Sequence, residues 1–386
     1  MVNSTLSQSR QDKKQRLWIE IGSIIAVIIL FSIILPFVIS PFRLQLFGRF
    51  LALAMVALGI DLIWGYTGLL SLGHGIFFAL GGYAFAMHLK LQIPQGQLPD
   101  FFTLYGVTEL PLFWKPFHSF PFTVIAIFLI PAIVAGLLGY LVFRNRIKGV
   151  YFSILTQAAL IVFFNFFNGQ QKLINGTNGL KFDTEAIFGI VTSSAKGQLV
   201  FYQCTIVFLV LTYLLCRWLT SGRFGRLLIA IRDDENRVRF SGYDPTWFKV
   251  LVFSISGAIA GIAGALYSVQ TAIITPSIME VAFSIEMVIW VAVGGRGTLL
   301  GAIIGTLLVR LGQSFLSEQF PEIWLFFQGA LFLIVVTILP NGIVGWWQNW
   351  AWLKLKSLFG LQQTLITYPA LENNPEIELE KQNFDN

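Results

Sequence analysis

Long apolar runs recur from residue 17 to residue 345, separated by short polar breaks, and they decide most of what this chain can fold into. A hydrocarbon layer of about 30 Å is crossed by about 20 consecutive apolar residues in a helix. Within it every backbone N–H and C=O must be bonded inside the protein, which leaves helices or closed barrels. The runs are continuous and do not alternate, so the fold class read here is all-α, a polytopic membrane protein. Helices are expected near 17–39, 47–64, 74–90, 120–143, 149–167, 199–219, 250–274, 281–295, 298–316 and 321–345, ten in all. The pair around Gly294-Gly295-Arg296-Gly297 reads either as two spans or as one span plus a re-entrant half. Composition agrees: only 12% of residues are charged, against about 25% in soluble domains.

Orientation follows from where the cations fall. With the N-terminus inside, the segments 1–16, 65–73, 144–148, 217–249, 296–297 and 346–386 hold 18 of the 26 Lys and Arg. Short cytoplasmic loops carry this excess, so both termini are placed in the cytoplasm. The net charge of +6 is then a property of inner loops, and no nucleic-acid partner is read from it. The domains expected are an N-terminal tail at 1–16, a transmembrane body at 17–345 and a C-terminal segment at 346–386. That last segment reads as an amphipathic stretch on the inner surface, then a polar, acidic, disordered tail. The run 17–39 is too long for a signal-peptide core and is read as a retained helix. The only cysteines, Cys204 and Cys216, are about 18 Å apart on one helix, too far for a disulfide.

Three stretches stand out from this apolar background. The first is Gly65-Tyr66-Thr67-Gly68-Leu69-Leu70-Ser71-Leu72-Gly73-His74-Gly75, a glycine-rich turn between two apolar helices. It reads either as tight helix packing or as part of a translocation path, because non-helical backbone at membrane depth needs protein or a wet cavity around it. The second, Val293-Gly294-Gly295-Arg296-Gly297-Thr298, repeats that pattern near the other end of the chain. Paired glycine-interrupted segments point to a transport path. The third is the inner segment 217–249. Leu227, Leu228, Ile231 and Val238 give it helical spacing, Asp233, Asp234 and Glu235 form an acidic cluster, and Gly242 and Pro245 end it. It reads as a solvated basic loop or, with its apolar, acidic and glycine positions combined, as a helix on which a cytoplasmic partner docks.

Enzyme chemistry is missing from the residue pattern. There is no Gly-rich loop ending in Gly-Lys-Ser/Thr, so no cofactor is expected in this chain. His74, His88 and His118 lack metal-ligand partners at usable spacing. Ionisable residues inside the spans are few: Asp61, Glu286 and Arg310. They form no proton ladder, which argues against an ion-coupled carrier. Neutral polar residues such as Tyr66, Thr67, Ser71, Ser153, Thr156 and Gln157 are the remaining candidates for meeting a solute. Each also has the plainer role of bonding its own or a neighbouring helix.

The first of these stretches resembles the signature turn of the permeases of branched-chain amino-acid and urea ATP-binding-cassette importers. So do Gly149-Val150-Tyr151-Phe152-Ser153-Ile154-Leu155-Thr156-Gln157, Gly176-Thr177-Asn178-Gly179-Leu180 and Gly294-Gly295-Arg296-Gly297-Thr298, in matching order over roughly 17–345. The resemblance implies a non-enzymatic subunit of a bacterial inner-membrane importer working by alternating access. Its partners would be a homologous second permease, two cytoplasmic ATPases that bind ATP and Mg, a periplasmic solute-binding protein and the lipid bilayer. It assigns ATPase coupling to the region of Gly222, Arg223, Arg226, Arg232, Asp233, Asp234, Glu235, Arg239 and Gly242. Path or gate candidates are Tyr66, Thr67, Gly68, Ser71, His74, Thr156, Gln157 and Glu286. Amino-acid members usually carry alanines after the acidic cluster, where this chain has Asn236-Arg237-Val238-Arg239-Phe240. That departure, with Leu98-Pro99-Asp100-Phe101 and Glu109-Leu110-Pro111 in the outer loop, resembles the urea branch and its second permease subunit. Urea is therefore the cargo expected, with branched-chain amino acids and a passive urea channel as alternatives.

Overall fold

The structure is a computed structural model, described here over residues 29–93, 97–182, 186–187, 189–192, 194–320, 322–338 and 342–347. The expected tails at 1–16 and beyond 347 lie outside these residues. Of the expected first helix, the described part is helical, a π-turn at Leu30–Ile34 followed by Leu35–Val38.

Helix α1 spans Pro41–Thr67 and starts earlier than the sequence indicated, because Pro41 occupies the first helical turn, where its missing N–H costs nothing. α2 is His74–Lys90, α3 Phe120–Arg144, α4 Val150–Gly169 and α5 Ala195–Ser221. Next follow α6, Arg223–Asp233, and α7, Glu235–Phe240. Then come α8, Pro245–Thr271, α9, Val281–Gly294, α10, Leu299–Gln319, and α11, Trp324–Ile338. Six of these (α1, α3, α4, α5, α8 and α10) are long and apolar enough to cross a membrane. α9 has 14 residues, about 21 Å of helix, short of the about 30 Å hydrocarbon layer.

Burial sorts the helices into layers. α1 is apolar all round and 83% of its membrane window is buried, against 28% for α3 and for α4. α1 is therefore the central post, packed by α5, α8, α9 and α10. α3 and α5 turn Ile125, Leu129, Leu137, Val207 and Leu211 outward, the surface that lipid would cover. α8 packs against α1, α2 and α3, and small residues let it approach so closely. A Cβ on Gly81 of α2 would lie 2.0 Å from the carbonyl oxygen of Gly261, and one on Gly264 would lie 1.8 Å from that of Phe78. Only hydrogen fits there, which is how small residues draw membrane helices together.

The described parts of the α2–α3 and α4–α5 connections are bonded to each other. Trp114 Nε1 donates to Leu173 O at 3.1 Å, and Tyr105 Oη donates to Gln171 Oε1 at 3.1 Å. A two-residue strand, β1 (Leu180–Lys181), pairs antiparallel with Ile273–Ile274, with Leu180 opposite Ile274. This pairing ties the Gly176-Thr177-Asn178-Gly179-Leu180 motif to the chain between α8 and α9.

The inner segment departs from the single helix that its apolar spacing implied. Asp234 leaves the helical region (φ −155°, ψ 97°), and its carboxylate accepts from Asn236 N at 3.0 Å and Arg237 N at 3.2 Å. It is an N-cap, so the acidic cluster ends α6 and starts α7.

Candidate functional site

The glycine turn, the second glycine break and the α6–α7 helix pair meet at one place, the C-terminal end of α1. α1 stops at Gly68, whose φ of +75° and N–H bond to Trp64 O make it a left-handed cap. A Cβ at Gly68 would also lie 2.9 Å from Arg232 Cγ, so both conformation and space require glycine. Arg232 reaches in from α6 and donates from Nη1 to Gly65 O at 2.9 Å. Four residues before Gly65, Asp61 is fully buried and its Oδ1 accepts the Gly297 N–H at 2.6 Å. Its Oδ2 is buried without a partner. The Arg296 guanidinium lies over the Trp64 ring, 5.6 Å from its centre.

The turn 68–73 is held from two other sides. From α4, Ser153 Oγ donates to Leu70 O at 2.6 Å. Thr156 Oγ1 accepts from Leu72 N at 3.0 Å and donates to Ser153 O at 2.9 Å. From α8, Ser256 Oγ donates to Gly59 O at 2.6 Å. That leaves the Ser256 oxygen as acceptor for His74 Nε2 at 2.7 Å, which fixes the Nε2–H tautomer. His74 thus bolts the start of α2 to α8. Ser71 Oγ accepts from Gly73 N at 3.3 Å, and Thr67 Oγ1 donates to Ile63 O at 2.6 Å. Tyr66 is half-buried, and Gln157 is half-buried on α4.

Just inside this junction a polar cavity of about 300 Å³ is lined by Thr67, Gly68, Lys148, Gly149, Arg232, Asp233, Asp234, Glu235, Asn236 and Lys249, among others. Glu235 is its buried carboxylate and has three cations on it. Arg239 Nη2 lies at 2.9 Å, Lys249 Nζ at 3.0 Å and Lys148 Nζ at 3.1 Å. Burial alone would raise this carboxyl. The Arg239 hydrogen bond, the Lys249 charge and hydrogen bond, and the Lys148 bond outweigh it and hold Glu235 at about 2. One side chain therefore joins α7, α8 and the α3–α4 loop.

Other predicted residues lie elsewhere or at the surface. Gly222 is the N-cap residue of α6, and Gly242 sits beyond α7 at φ +86°. Arg223 and Arg226 are exposed. An open groove between α6 and α7 is lined by Leu227, Ala230, Asp233, Asp234, Arg237, Val238, Ser241 and Tyr243, with Phe240 beside it 91% exposed. Glu286 does not join the junction. Arg310 Nη1 donates to its Oε2 at 3.2 Å, and the guanidinium stacks over Phe50 and Trp290. Phe50 lies about 16 Å along α1 from Asp61. Among the described residues no cluster of three His, Cys, Asp or Glu could hold a metal ion.

Sequence reasoning missed Lys148, Lys249, Ser256 and the Gly297 N–H. Lys249 carried a readable signal, a lysine inside Phe248-Lys249-Val250-Leu251, but the expected span started one residue after it. Ser256 looked like any membrane-helix serine, because its partners are 182 and 197 positions away.

With this geometry in view, the comparison with known families is decisive. Residues 42–336 match the family of the branched-chain amino acid transport system permease component. The chain belongs to this family. It is similar to the high-affinity branched-chain amino acid transport system permease protein LivM of Escherichia coli, at 25% identity over 86% of this chain and 75% of that protein. LivM of Salmonella typhimurium is also 25% identical, over 80% of this chain and 71% of its own length. The probable LivM of Methanocaldococcus jannaschii is 26% identical over 75% and 89%. No solved structure matches the chain. These relatives are transport permeases and not enzymes, and the family is one of membrane transport.

Proposed function

We propose that this chain is a membrane-spanning permease subunit of an ATP-driven importer in a bacterial inner membrane, with both termini cytoplasmic. Cytoplasmic ATPases dock on the α6–α7 groove. A homologous permease completes the path, and an outer binding protein delivers cargo. The observation that carries the reading is the Arg232–Gly65 hydrogen bond. It connects an exposed inner helix pair directly to the glycine turn that ends the central helix. Movement of α6 has to move that turn or break the bond. Tyr66, Thr67, Gly68 and Ser71 then belong to an inner gate, and His74 and Thr156 hold its frame.

Two cargo readings are kept. The names of the relatives favour a branched-chain amino acid, and no relative cited above is named for urea. Urea is favoured by the Asn236-Arg237-Val238-Arg239-Phe240 departure and by the neutral polar groups around the turn.

Uptake measurements in cells carrying only this system test both levels. Phe240→Asp, at an exposed position, is expected to reduce uptake to background while the protein still accumulates in the membrane; full uptake would sink the docking claim. Labelled leucine uptake that excess urea leaves unchanged identifies the amino-acid cargo, and labelled urea uptake that excess leucine leaves unchanged identifies urea. Uptake that survives ATP depletion would mean a passive channel instead.

A further inference from the structure

We infer that Asp61 is a positioning residue that passes movement of the inner helix pair to the second glycine break, by holding Gly297 against the end of α1. The inference rests on the importer reading above. Three contacts share one turn of helix. Arg232 of α6 bonds Gly65 O at 2.9 Å. Asp61, one turn earlier, bonds Gly297 N at 2.6 Å across 236 positions of sequence. Gly65 itself fits between them so closely that a Cβ on it would lie 2.6 Å from both Gly297 N and Asp61 Oδ1. α6 and the 294–297 break therefore grip the same piece of backbone from two directions.

The chemistry explains why an acid occupies an otherwise apolar, fully buried stretch. Gly297, at φ +79°, lies outside any helix, so its N–H has no ladder partner and needs a side-chain acceptor. Asp61 supplies one with a short reach from α1. The break is equally tied on its far side. A Cβ on Gly294 would lie 1.8 Å from Gly301 O, and one on Gly305 would lie 2.2 Å from Trp290 O. α9 and α10 thus form one tight hairpin. A displacement of Gly297 is a displacement of that hairpin, and packed elements of this kind shift as units. The route from docking groove to hairpin is then Arg232, Gly65, Asp61, Gly297. Among these contacts Asp61 supplies the bond that crosses from one glycine break to the other.

The test compares Asp61→Asn with Asp61→Leu, two replacements of similar size, in the complete transporter reconstituted in proteoliposomes. Asn keeps an acceptor for the Gly297 N–H and Leu does not. Both variants are expected to purify with the ATPases bound. Asn should keep cargo moved per ATP within about twofold of wild type, whereas Leu should lower it about tenfold while hydrolysis continues. Wild-type coupling in Asp61→Leu overturns the proposal. Absence of ATPases from the wild-type preparation overturns the importer reading instead. Should the Leu variant fail to assemble, hydrogen exchange of the 294–298 backbone is read in Asp61→Ser, whose side chain is too short for the bond. Nucleotide-dependent protection there is expected in wild type and Asp61→Asn and lost in Asp61→Ser; its retention in Asp61→Ser also overturns the proposal.

Discussion

Glu235 shows how one residue can fasten three pieces of chain. Glu235 is 8% exposed, and its carboxylate faces Arg239, Lys249 and Lys148 within 3.1 Å. Lys249 is 1% exposed, so removing the carboxylate strands a buried ammonium. Breaking one partner of such a pair is costly, and Glu235→Gln is expected to destabilise the protein by about 3 kcal/mol. The pH dependence follows from the lowered carboxyl. A group held at about 2 when folded, against about 4.3 when unfolded, contributes its full stability above the unfolded value. That contribution is lost as pH falls through the window between them. The thermal unfolding temperature in detergent is therefore expected to be lower for Glu235→Gln at pH 7. The gap to wild type should close as pH falls from about 5 toward about 2. A gap that stays constant with pH would show that the ion cluster is not its source.

Among the elements, the α2–α8 contact leaves no room for side chains at two points. Gly81 faces the Gly261 backbone and Gly264 faces the Phe78 backbone, and the hypothetical Cβ distances there fall far below van der Waals contact. Backbone cannot yield there as a flexible side chain would. Gly264→Val is expected to prevent accumulation of folded, monodisperse protein in detergent, whereas Gly312→Ala, at a position with open space around it, is expected to leave the yield unchanged. Equal yields would mean that α2 and α8 do not pack as described. Helix boundaries were legible from hydropathy alone for α2, α3 and α4, because their ends coincide with sharp polar or glycine breaks. The break at Asp234 was not legible. Apolar spacing runs across it, and only the capping bonds to Asn236 N and Arg237 N reveal it.

At the scale of the molecule, the α6–α7 helix pair with its ion cluster on Glu235 differs in kind from the aromatic-rich connection between α2 and α3. The proposed orientation is checked by cysteine labelling in a variant with Cys204 and Cys216 replaced by alanine. Thr103→Cys, in the outer loop, is expected to react with an impermeant maleimide on intact spheroplasts. Tyr243→Cys, beyond α7, is expected to react only after the membrane is opened. The reverse pattern would invert the topology and with it the docking face.

Apolar run length and continuity determined by themselves that this chain is a helical membrane protein, because backbone desolvation leaves few other choices. The glycine-rich stretches and the mixed inner segment likewise announced themselves by composition. Their meeting at the C-terminal end of α1 was decided only by the tertiary structure. The bonds Arg232–Gly65 and Asp61–Gly297 span 167 and 236 positions, and Glu235 gathers partners from three separate segments. Hydropathy is a local property that places each helix in the membrane. Which helix faces which is set by side-chain volumes and single hydrogen bonds between distant residues, and no local pattern encodes those pairings.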